Sequence, residues 1–469
     1  MSEFNHNDTI AALATGRGGA IALVRVSGPE AIALCDSIFS GRGSLAAAQG
    51  YTLHYGSIME GDRVVDEVVV GLFRAPRSYT GQDMVEISCH GSGYVVGEIM
   101  RLLLRAGARS AGPGEFTVRA FLAGKIDLAQ AEAVADLIAS ESRAAHAMAA
   151  NQMRGSYSAD FARLRGRLVE LASLLELELD FGEEDVTFAD RGALRSAVVE
   201  IEGRIGELLG SFSVGNAIKE GVAVAIVGDA NVGKSTLLNR LLHDDRAMVS
   251  DIAGTTRDAI EERLVIDGVM FRLIDTAGIR PTEDVLELMG IERSLSSARK
   301  AQIVLLVVDG TAVGGDAFEV NACRRIDLNS AVASLGLREE QKLCIVLNKS
   351  DIAYADVAAV ERAAGCRAIS ISARRGDGID ELTAWLSEAA GAGAVYGGRT
   401  VLSNARHVEA LERAHEALAG VRRGLASDLS VDLLAQELRE AIYHIGAVTG
   451  EITTDDILSE IFSKFCIGK

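Results

Sequence analysis

The segment that most constrains the fold is a glycine-rich loop between an apolar run and a helical pattern. The run AVAIVG leads directly into residues 228–236, GDANVGKST, and then into LLNRLL. Glycines spaced as Gly-x4-Gly-Lys-Ser let backbone N–H groups converge on phosphate oxygens at the start of a helix. Lys234 adds a cation for the outer phosphates, and the hydroxyl of Ser235 suits Mg2+ as a ligand. The chain is therefore predicted to contain a P-loop α/β domain that binds a nucleotide.

Three further motifs follow in the order that a guanine-nucleotide switch requires. They are Asp275-Thr276-Ala277-Gly278 after FRLI, Asn348-Lys349-Ser350-Asp351 after LCIVL, and Ser372-Ala373-Arg374 after AISI. The carboxylate of Asp351 can accept hydrogen bonds from N1 and N2 of guanine, a pattern that adenine lacks. The N–H of Gly278 can bind the γ-phosphate and move when that phosphate leaves. The residues predicted from these motifs to bind GTP are Asn231, Val232, Gly233, Lys234, Ser235, Thr236, Asp275, Thr276, Ala277, Gly278, Asn348, Lys349, Asp351, Ser372, Ala373 and Arg374.

The catalytic group is not evident from these motifs alone. In MVSDIAGTTRD, Thr256 is placed to complete the Mg2+ shell in the triphosphate state. The residue after Gly278 is Ile279, which cannot polarise water as the glutamine of Ras-like proteins does. Catalysis therefore needs another group. The acidic residues that follow, whose pattern also fits a solvated helix face, are Glu283, Asp284, Glu287 and Glu292.

The hydrophobic pattern predicts a multidomain α/β and α+β protein, and 469 residues are enough for about three domains. Short β-branched runs between glycine-rich turns predict an α+β domain at the start. Amphipathic helical patterns follow, are interrupted by the nucleotide-binding segment, and then return. Because the two helical tracts each need an apolar partner, we expect them to form one discontinuous domain. The predicted boundaries are 1–119 for the α+β domain, 120–216 and 391–469 for the helical domain, and 217–390 for the inserted Ras-like P-loop domain.

Composition limits the partners and the compartment. The formal charge is −19 and the pI is about 5.0, which opposes binding of a polyanion by the surface as a whole. The six cysteines contain no CxxC pair, so neither a disulfide framework nor a cysteine zinc site is indicated. The start MSEFNHNDTI lacks the pattern of a signal peptide, and no apolar run approaches the ~18 residues of a membrane span. We expect a cytoplasmic protein that does not enter a membrane.

The chain resembles, over nearly its full length, the tRNA modification GTPase family MnmE, also called TrmE. The resemblance rests on GRGGAIALVRVSGP, SYTGQDMVEISCHG, PGEFTVRAFLAGKIDLAQAEAVADLI, GDANVGKS with AGTTRD, DTAGIRPTEDVLELMGIER and FCIGK. It implies that the N-terminal domain binds tetrahydrofolate, is similar to aminomethyltransferase folds and forms a homodimer. It also implies a heterotetramer with the FAD-dependent flavoprotein MnmG, also called GidA, which would carry most of the contact with tRNA.

The implied reaction is the addition of a carboxymethylaminomethyl group to carbon 5 of the wobble uridine of certain tRNAs. A 5,10-methylene or 5-formyl derivative of tetrahydrofolate would supply the one-carbon unit, and glycine or ammonium would supply the amine. GTP hydrolysis, activated by K+ and dependent on Mg2+, would drive and gate this chemistry.

The resemblance also implies roles for individual residues. Glu287 falls where the family positions the attacking water, and Cys466 falls in a terminal motif that makes a functional thiol conceivable. Ser250 and Thr255 join the predicted GTP site. The implied K+ ligands are Asn231, Ser250, Ile252 and Thr255, beside Ser235 and Thr256 for Mg2+. The implied folate ligands are Arg25, Glu86, Lys125 and Lys469.

Two alternatives are weighed against this interpretation. A ribosome-assembly or regulatory switch GTPase would share the nucleotide motifs but would modify no nucleotide. Such proteins usually carry a basic RNA-binding module, which an acidic chain does not favour. A folate-dependent aminomethyltransferase acting alone would leave the complete guanine-nucleotide site unexplained. Folate binding by the first 130 or so residues discriminates the first alternative from the favoured interpretation.

Overall fold

The computed structural model describes residues 7–16, 18–180, 191–242, 248–249, 262–274, 296–312, 328–338, 340–390, 400–427, 429–453, 455–463, 465 and 467–468. The chain divides into two compact units. Unit 1 consists of Met1–Ala135, Gln152–Val198 and Arg413–Lys469, and unit 2 consists of Asp136–Asn151 and Val199–Glu412. None of the helices in the described ranges is both long and apolar enough to cross a membrane.

Unit 1 begins with a mixed sheet covered by two helices, which confirms the predicted α+β fold. The strands are β1 (Ile10–Leu13), β2 (Ile21–Ser27), β3 (Phe39–Gly41), β4 (Thr52–Glu60), β5 (Arg63–Phe73), β6 (Met84–His90) and β7 (Arg109–Ser110). The helices are α1 (Ala31–Ile38) and α2 (Gly93–Ala106). The spatial order is β3-β4-β5-β6-β2-β1-β7, and the neighbouring strands are antiparallel except for the parallel pair β1 and β7.

Alternation along β2 shows how this sheet is built. Ala22, Val24 and Val26 are buried in the apolar cluster that includes the buried side chains of α1 and α2. Arg25 lies on the opposite face, because successive side chains of a strand point to opposite sides. One face of the sheet therefore forms the core, while the other carries Arg25 and, across from it on β6, Glu86.

Helices follow the first sheet, as the periodicity predicted. They are α3 (Glu115–Leu122), α4 (Leu128–Ala139), α5 (Arg143–Met153), α6 (Ser156–Asp180), α7 (Arg191–Gly210) and α8 (Phe212–Glu220).

Unit 2 contains a second sheet with the strand order of a P-loop domain. Its strands are β8 (Val222–Val227), β9 (Met248–Val249), β10 (Glu262–Ile266), β11 (Val269–Ile274), β12 (Ile303–Asp309), β13 (Lys342–Asn348) and β14 (Arg367–Ser370). Its further helices are α9 (Lys234–Leu242), α10 (Leu328–Ser334), α11 (Val357–Ala364) and α12 (Ile379–Ala389). The order is β14-β13-β12-β8-β11-β10-β9, parallel from β14 to β11 and antiparallel from β11 to β9. The continuous apolar runs GVAVAIVG and IVLLVVDG form the neighbouring parallel strands β8 and β12, and all residues of β8 are buried.

A short segment of the helical tract, residues 136–151, packs within unit 2. The N–H of Ala144 donates to the carbonyl of Gly268 at the turn between β10 and β11 (3.0 Å). The Arg263 guanidinium of β10 contacts both carboxylate oxygens of Glu141 at 3.1 Å. Ala144 and Ala145 are buried in the same apolar cluster as side chains of this hairpin. The segment therefore completes part of the core of unit 2.

The last helices are α13 (Ala405–Ala426), α14 (Val431–Thr449) and α15 (Asp455–Ser463), and the chain belongs to unit 1 again from Arg413 onward. Helix α14 packs along α6. Phe462 of α15 is 1% exposed and packs in a cluster with Val118 of α3. Beyond α15, Ile467 forms an antiparallel bridge with Pro113. The final described residues therefore lie against the N-terminal domain of the same chain.

Candidate functional site

The loop between β8 and α9 has the backbone that the Gly-x4-Gly-Lys-Ser motif predicts. Gly228, Asn231 and Gly233 have positive φ angles of 146°, 63° and 99°. A Cβ at Gly228 would collide with the carbonyl of Val307, so glycine is required there. Asparagine tolerates the left-handed conformation better than most residues, which explains its use at position 231. The chain thus turns sharply between the end of a buried parallel strand and the first turn of a helix.

Lys234 and Ser235 occupy the first turn of α9. The ammonium of Lys234 donates to the carbonyls of Gly228 (2.7 Å) and Asp229 (2.6 Å), so it lies across the loop. Desolvation lowers the pKa of Lys234, although nearby Asp229 opposes this effect. Ser235 and Thr236 follow it at the helix start, where backbone N–H groups are unsatisfied by the helix itself. This arrangement suits the phosphates of a nucleotide.

Asn348 connects the phosphate loop to the loop that follows β14. Its side chain is 4% exposed. The Nδ2 group donates to the carbonyl of Val232 (2.8 Å), and Oδ1 accepts from the N–H of Ala373 (3.0 Å). This one buried amide therefore links the P-loop, the motif that begins at Asn348 and the motif that contains Ala373. A Cβ at Gly233 would collide with this amide, which gives a second reason for glycine in the motif.

Asp351 and Ser372, which the sequence predicts to lie near the base, contact each other. The hydroxyl of Ser372 donates to Oδ1 of Asp351 (2.8 Å). This hydrogen bond, with the charges of Arg375 and Arg374, lowers the pKa of Asp351. The carboxylate is therefore ionised at neutral pH and can accept hydrogen bonds from a guanine edge.

Lys349 is held by a residue that the sequence analysis did not single out. Its ammonium lies 2.6 Å from Oδ2 of Asp309, which ends β12. The other carboxylate oxygen accepts from the N–H (3.0 Å) and the hydroxyl (2.7 Å) of Thr311. These contacts, opposed by partial burial, lower the pKa of Asp309. The ending of IVLLVVDG could have indicated this partner, because β12 and β13 end side by side with Asp309 opposite Asn348.

The predicted folate residues Arg25 and Glu86 form one pair on the N-terminal sheet. They are direct neighbours on β2 and β6, and the Arg25 guanidinium donates to Oε1 of Glu86 from Nε (2.9 Å) and Nη2 (2.7 Å). Their side chains are 18% and 22% exposed. The same guanidinium lies 5.5 Å from the ring centre of Tyr79 and 5.7 Å from that of Phe116.

Lys125 is exposed and lies beside the loop that carries Tyr79. A Cβ at Gly81 of this loop would be 3.6 Å from Cε of Lys125. The structure therefore brings the Lys125 stem near one end of the loop and Arg25 near the other. Whether these residues contact a ligand stays a prediction.

Part of the predicted site lies outside the described residues. These residues are Ser250, Ile252, Thr255, Thr256, Asp275, Thr276, Ala277, Gly278, Glu287, Cys466 and Lys469, together with Ile279, Glu283, Asp284 and Glu292. Their proposed roles rest on the sequence alone.

Asn348 joins a P-loop, at the carboxyl end of a buried parallel strand, to a serine–alanine loop that contacts an ionised aspartate. This arrangement defines a guanine-nucleotide-binding domain of the Ras-like class. Comparison with known proteins narrows this class. The family described as "MnmE helical domain" matches residues 128–466, and "GTP-binding protein TrmE N-terminus" matches residues 9–125. The chain belongs to the MnmE family of tRNA modification GTPases.

Curated relatives match the chain from end to end, and each carries the name "tRNA modification GTPase MnmE". The protein from Christiangramia forsetii is 48% identical over 99% of this chain and 99% of its own length. The protein from Bacteroides thetaiotaomicron is 48% identical over 99% of this chain and 100% of its own length. The protein from Porphyromonas gingivalis is 47% identical over 100% of this chain and 99% of its own length. The likeness therefore includes the N-terminal domain and the tail as well as the nucleotide-binding domain.

Proposed function

We propose that this GTPase acts in tRNA modification, in which it works with an FAD-dependent MnmG-type subunit. Together they add a carboxymethylaminomethyl group to carbon 5 of the wobble uridine of certain tRNAs. The observation that carries this proposal is a second polar site in the same chain as the guanine site. The half-buried pair Arg25 and Glu86 on the N-terminal sheet, flanked by two aromatic rings, has the chemistry to bind a ligand, whereas a protein that only switches between nucleotide states requires no second ligand site.

The nucleotide site is proposed to hold GTP with Mg2+. Lys234 meets the outer phosphates, Ser235 and Thr256 bind the metal, and Asp351 binds the guanine edge. The lowered pKa of Asp351 and the position of Ser235 in the first helical turn support these roles. Mg2+ supplies charge neutralisation at the β- and γ-phosphates when bound. The N–H of Gly278 binds the γ-phosphate, and Gly278 moves when that phosphate leaves.

A K+ ion is proposed to replace the arginine finger of other GTPases. Its ligands are Asn231 in the P-loop with Ser250, Ile252 and Thr255 in the following segment, all of which can offer oxygen atoms. Asn231 is exposed and left-handed at the P-loop turn, so its side-chain oxygen is accessible to an ion there. Glu287 orients the attacking water, because Ile279 cannot.

The N-terminal site is proposed to bind a tetrahydrofolate derivative, either 5,10-methylene or 5-formyl. Folate carboxylates suit Arg25, Lys125 and Lys469, and the aminopyrimidinone edge suits a carboxylate such as Glu86. The partly exposed ring of Tyr79 beside the Arg25 guanidinium gives a flat ligand an aromatic surface, whereas Phe116, at 0% exposure, packs against the same guanidinium within the protein. The folate supplies the one-carbon unit when bound, and Cys466 is a candidate functional thiol.

The proposed assembly follows the predicted domains. Residues 1–119 bind folate and form a homodimer, residues 120–216 and 391–469 form the helical domain, and residues 217–390 form the inserted G domain. The flavoprotein binds FAD and most of the tRNA surface, in the cytoplasm. The charge of −19 supports this division, since a tRNA would be repelled by most of this protein's surface.

Calorimetry with 5-formyltetrahydrofolate on the full chain tests the proposal. Glu86→Gln keeps the side-chain shape but removes the charge, so folate affinity is expected to fall about 10-fold or more, since hydrogen bonds to charged groups are worth about 1.5–3 kcal/mol. The matched control is Arg63→Gln, which breaks the surface pair of Arg63 with Glu98 (2.8 Å) on the same domain. GTP turnover should be unchanged in both variants.

Two results would separate the candidates. If Glu86→Gln and Arg63→Gln bind the folate as the native chain does, Glu86 has no place in the pocket. If the native chain binds no folate at all, the regulatory switch GTPase becomes the better assignment.

A further inference from the structure

We propose that Arg240 is a positioning residue for guanine-nucleotide binding, which sets the base-binding loop relative to the phosphate-binding helix. Arg240 belongs to none of the nucleotide motifs and lies in the sequence LLNRLL of α9. The inference rests on the guanine-nucleotide site and is independent of the folate and tRNA chemistry.

Arg240 joins two parts of the site that are far apart in the sequence. Its Nε donates to the carbonyl of Ala373 (3.2 Å), and its Nη2 donates to the carbonyl of Arg374 (2.6 Å). The guanidinium also packs beside Gly376, where a Cβ would lie 3.8 Å from Cζ. Arg240 is six positions after Lys234, about 9 Å along the helix axis. One rigid helix therefore carries both the phosphate-binding lysine and the arginine that holds the base-binding loop.

Both polar groups of the Ala373 backbone are bound by side chains. Its N–H donates to Oδ1 of Asn348, and its carbonyl accepts from Arg240. Asn348 in turn donates to the carbonyl of Val232 in the P-loop. Val232, Asn348, Ala373 and Arg240 thus close a ring of contacts that begins and ends on the P-loop and its helix. We call this set the base-loop ring.

The base-binding loop is held together by its own hydrogen bonds, so it is expected to shift as one body. The N–H of Ser372 donates to the carbonyl of Asp377 (2.9 Å), and the N–H of Gly376 donates to the carbonyl of Ser372 (2.7 Å). Without Arg240, the loop keeps its contacts with Asn348 and Asp351 but loses the two hydrogen bonds from Arg240 that join it to α9. Because Ser372 contacts Asp351, a rotated loop would also displace the carboxylate that meets the guanine edge.

The guanidinium of an arginine can position the base-binding loop better than the ammonium of a lysine can. A planar guanidinium can donate to two successive carbonyls in a fixed geometry, whereas an ammonium acts as a single flexible point. We therefore expect Arg240→Lys to restore only part of the effect of Arg240→Gln. The γ-phosphate lies at the opposite end of the nucleotide from the base, so hydrolysis of bound GTP should be unaffected.

The experiment compares full-length Arg240→Gln and Arg240→Lys with the native chain. The probes are GDP carrying a fluorescent label on the ribose and Mg2+ pyrophosphate, which has no base. Arg240→Gln is expected to release GDP about 10-fold faster or more. Pyrophosphate affinity and kcat at saturating GTP should stay within about 2-fold, while KM rises. Arg338→Gln is the matched control, because Arg338 also donates to a backbone carbonyl of unit 2, that of Arg299 (3.2 Å).

Each other outcome overturns the proposal. If pyrophosphate binding weakens as much as GDP binding, Arg240 supports α9 or the P-loop in general and does not position the base loop. If GDP release is the same in Arg240→Gln and Arg338→Gln, the contacts of Arg240 have no role in nucleotide binding. Full rescue by lysine would show that charge alone matters and not the two-carbonyl geometry.

Discussion

Replacing Asp351 by asparagine should change which purine nucleotide the protein binds. The aspartate accepts hydrogen bonds only, whereas guanine presents two donors, at N1 and N2. An asparagine at this position keeps one acceptor but places an N–H group opposite one of the donors of guanine. Xanthine has a carbonyl at carbon 2, so it offers an acceptor where guanine has the amino group. The variant should therefore prefer xanthosine triphosphate to GTP.

The size of the effect follows from the contacts of the carboxylate. Each hydrogen bond to a charged group contributes a factor of about 10 to 100 in affinity. Ser372 already donates to one oxygen of Asp351, and the side chain is partly open to solvent, which places each bond near the lower end of this range. Loss of one such bond, a donor–donor contact in its place and the loss of charge from the side chain together predict GTP binding weaker by about 10²–10³. Asparagine can still accept from Ser372, so the loop itself should remain intact.

Competition of GTP, xanthosine triphosphate and ATP against fluorescent GDP measures the preference. Asp356→Asn is the matched control, because Asp356 lies in the same region but caps α11 by accepting from the N–H of Ala359 (3.1 Å). Asparagine caps a helix as well as aspartate does, so this control should bind GTP normally. An unchanged ratio of GTP to xanthosine triphosphate affinity in Asp351→Asn would refute the assignment of Asp351 to the base.

Two further predictions concern the P-loop and the C-terminal helix. Asn231→Gly preserves the left-handed backbone (φ 63°) but removes the side chain, so the variant should still bind GDP but should no longer hydrolyse GTP faster in K+ than in Na+. Equal GTP turnover of the native chain in both salts would contradict the proposed ion site. Phe462→Ala removes a side chain that is 1% exposed and should destabilise unit 1 by about 3–5 kcal/mol, as measured by thermal unfolding. The control is Leu433→Ala, because Leu433 is 43% exposed. Equal melting temperatures of the two variants would show that the α15 cluster contributes little to the stability of unit 1.

The guanine site was readable from the sequence to the extent that it consists of contiguous motifs. Gly228, Asn348 and Asp351 occur at fixed positions after apolar strands, and parallel strands bring their carboxyl ends together. The contact of Asn348 with the P-loop carbonyl of Val232 follows from this arrangement of strand ends. Arg240 could not be recognised in the same way, because an arginine in LLNRLL also fits a solvated helix face. Its partners lie more than 130 positions later, and only the folded chain brings them into contact.

The N-terminal site shows a different limit. Arg25 and Glu86 alternate with buried residues on their strands, a pattern typical of the outer face of a sheet. That they stand directly opposite depends on the register of β2 and β6, which periodicity cannot determine. The packing of residues 136–151 in unit 2 was also unreadable, because Ala144 and Ala145 fit an ordinary amphipathic helix.

The docking of residues 136–151 has a consequence for the order of events during protein synthesis. Ala144 leaves the ribosome long before the hairpin of β10 and β11 that it packs against. A nascent chain that ends before Gly268 therefore cannot complete the core of unit 2, however well its earlier segments have folded. Contacts between such distant positions also slow folding, since a long loop must close first. The small apolar side chains of this segment thus wait longer for their packing partners than those of the N-terminal sheet.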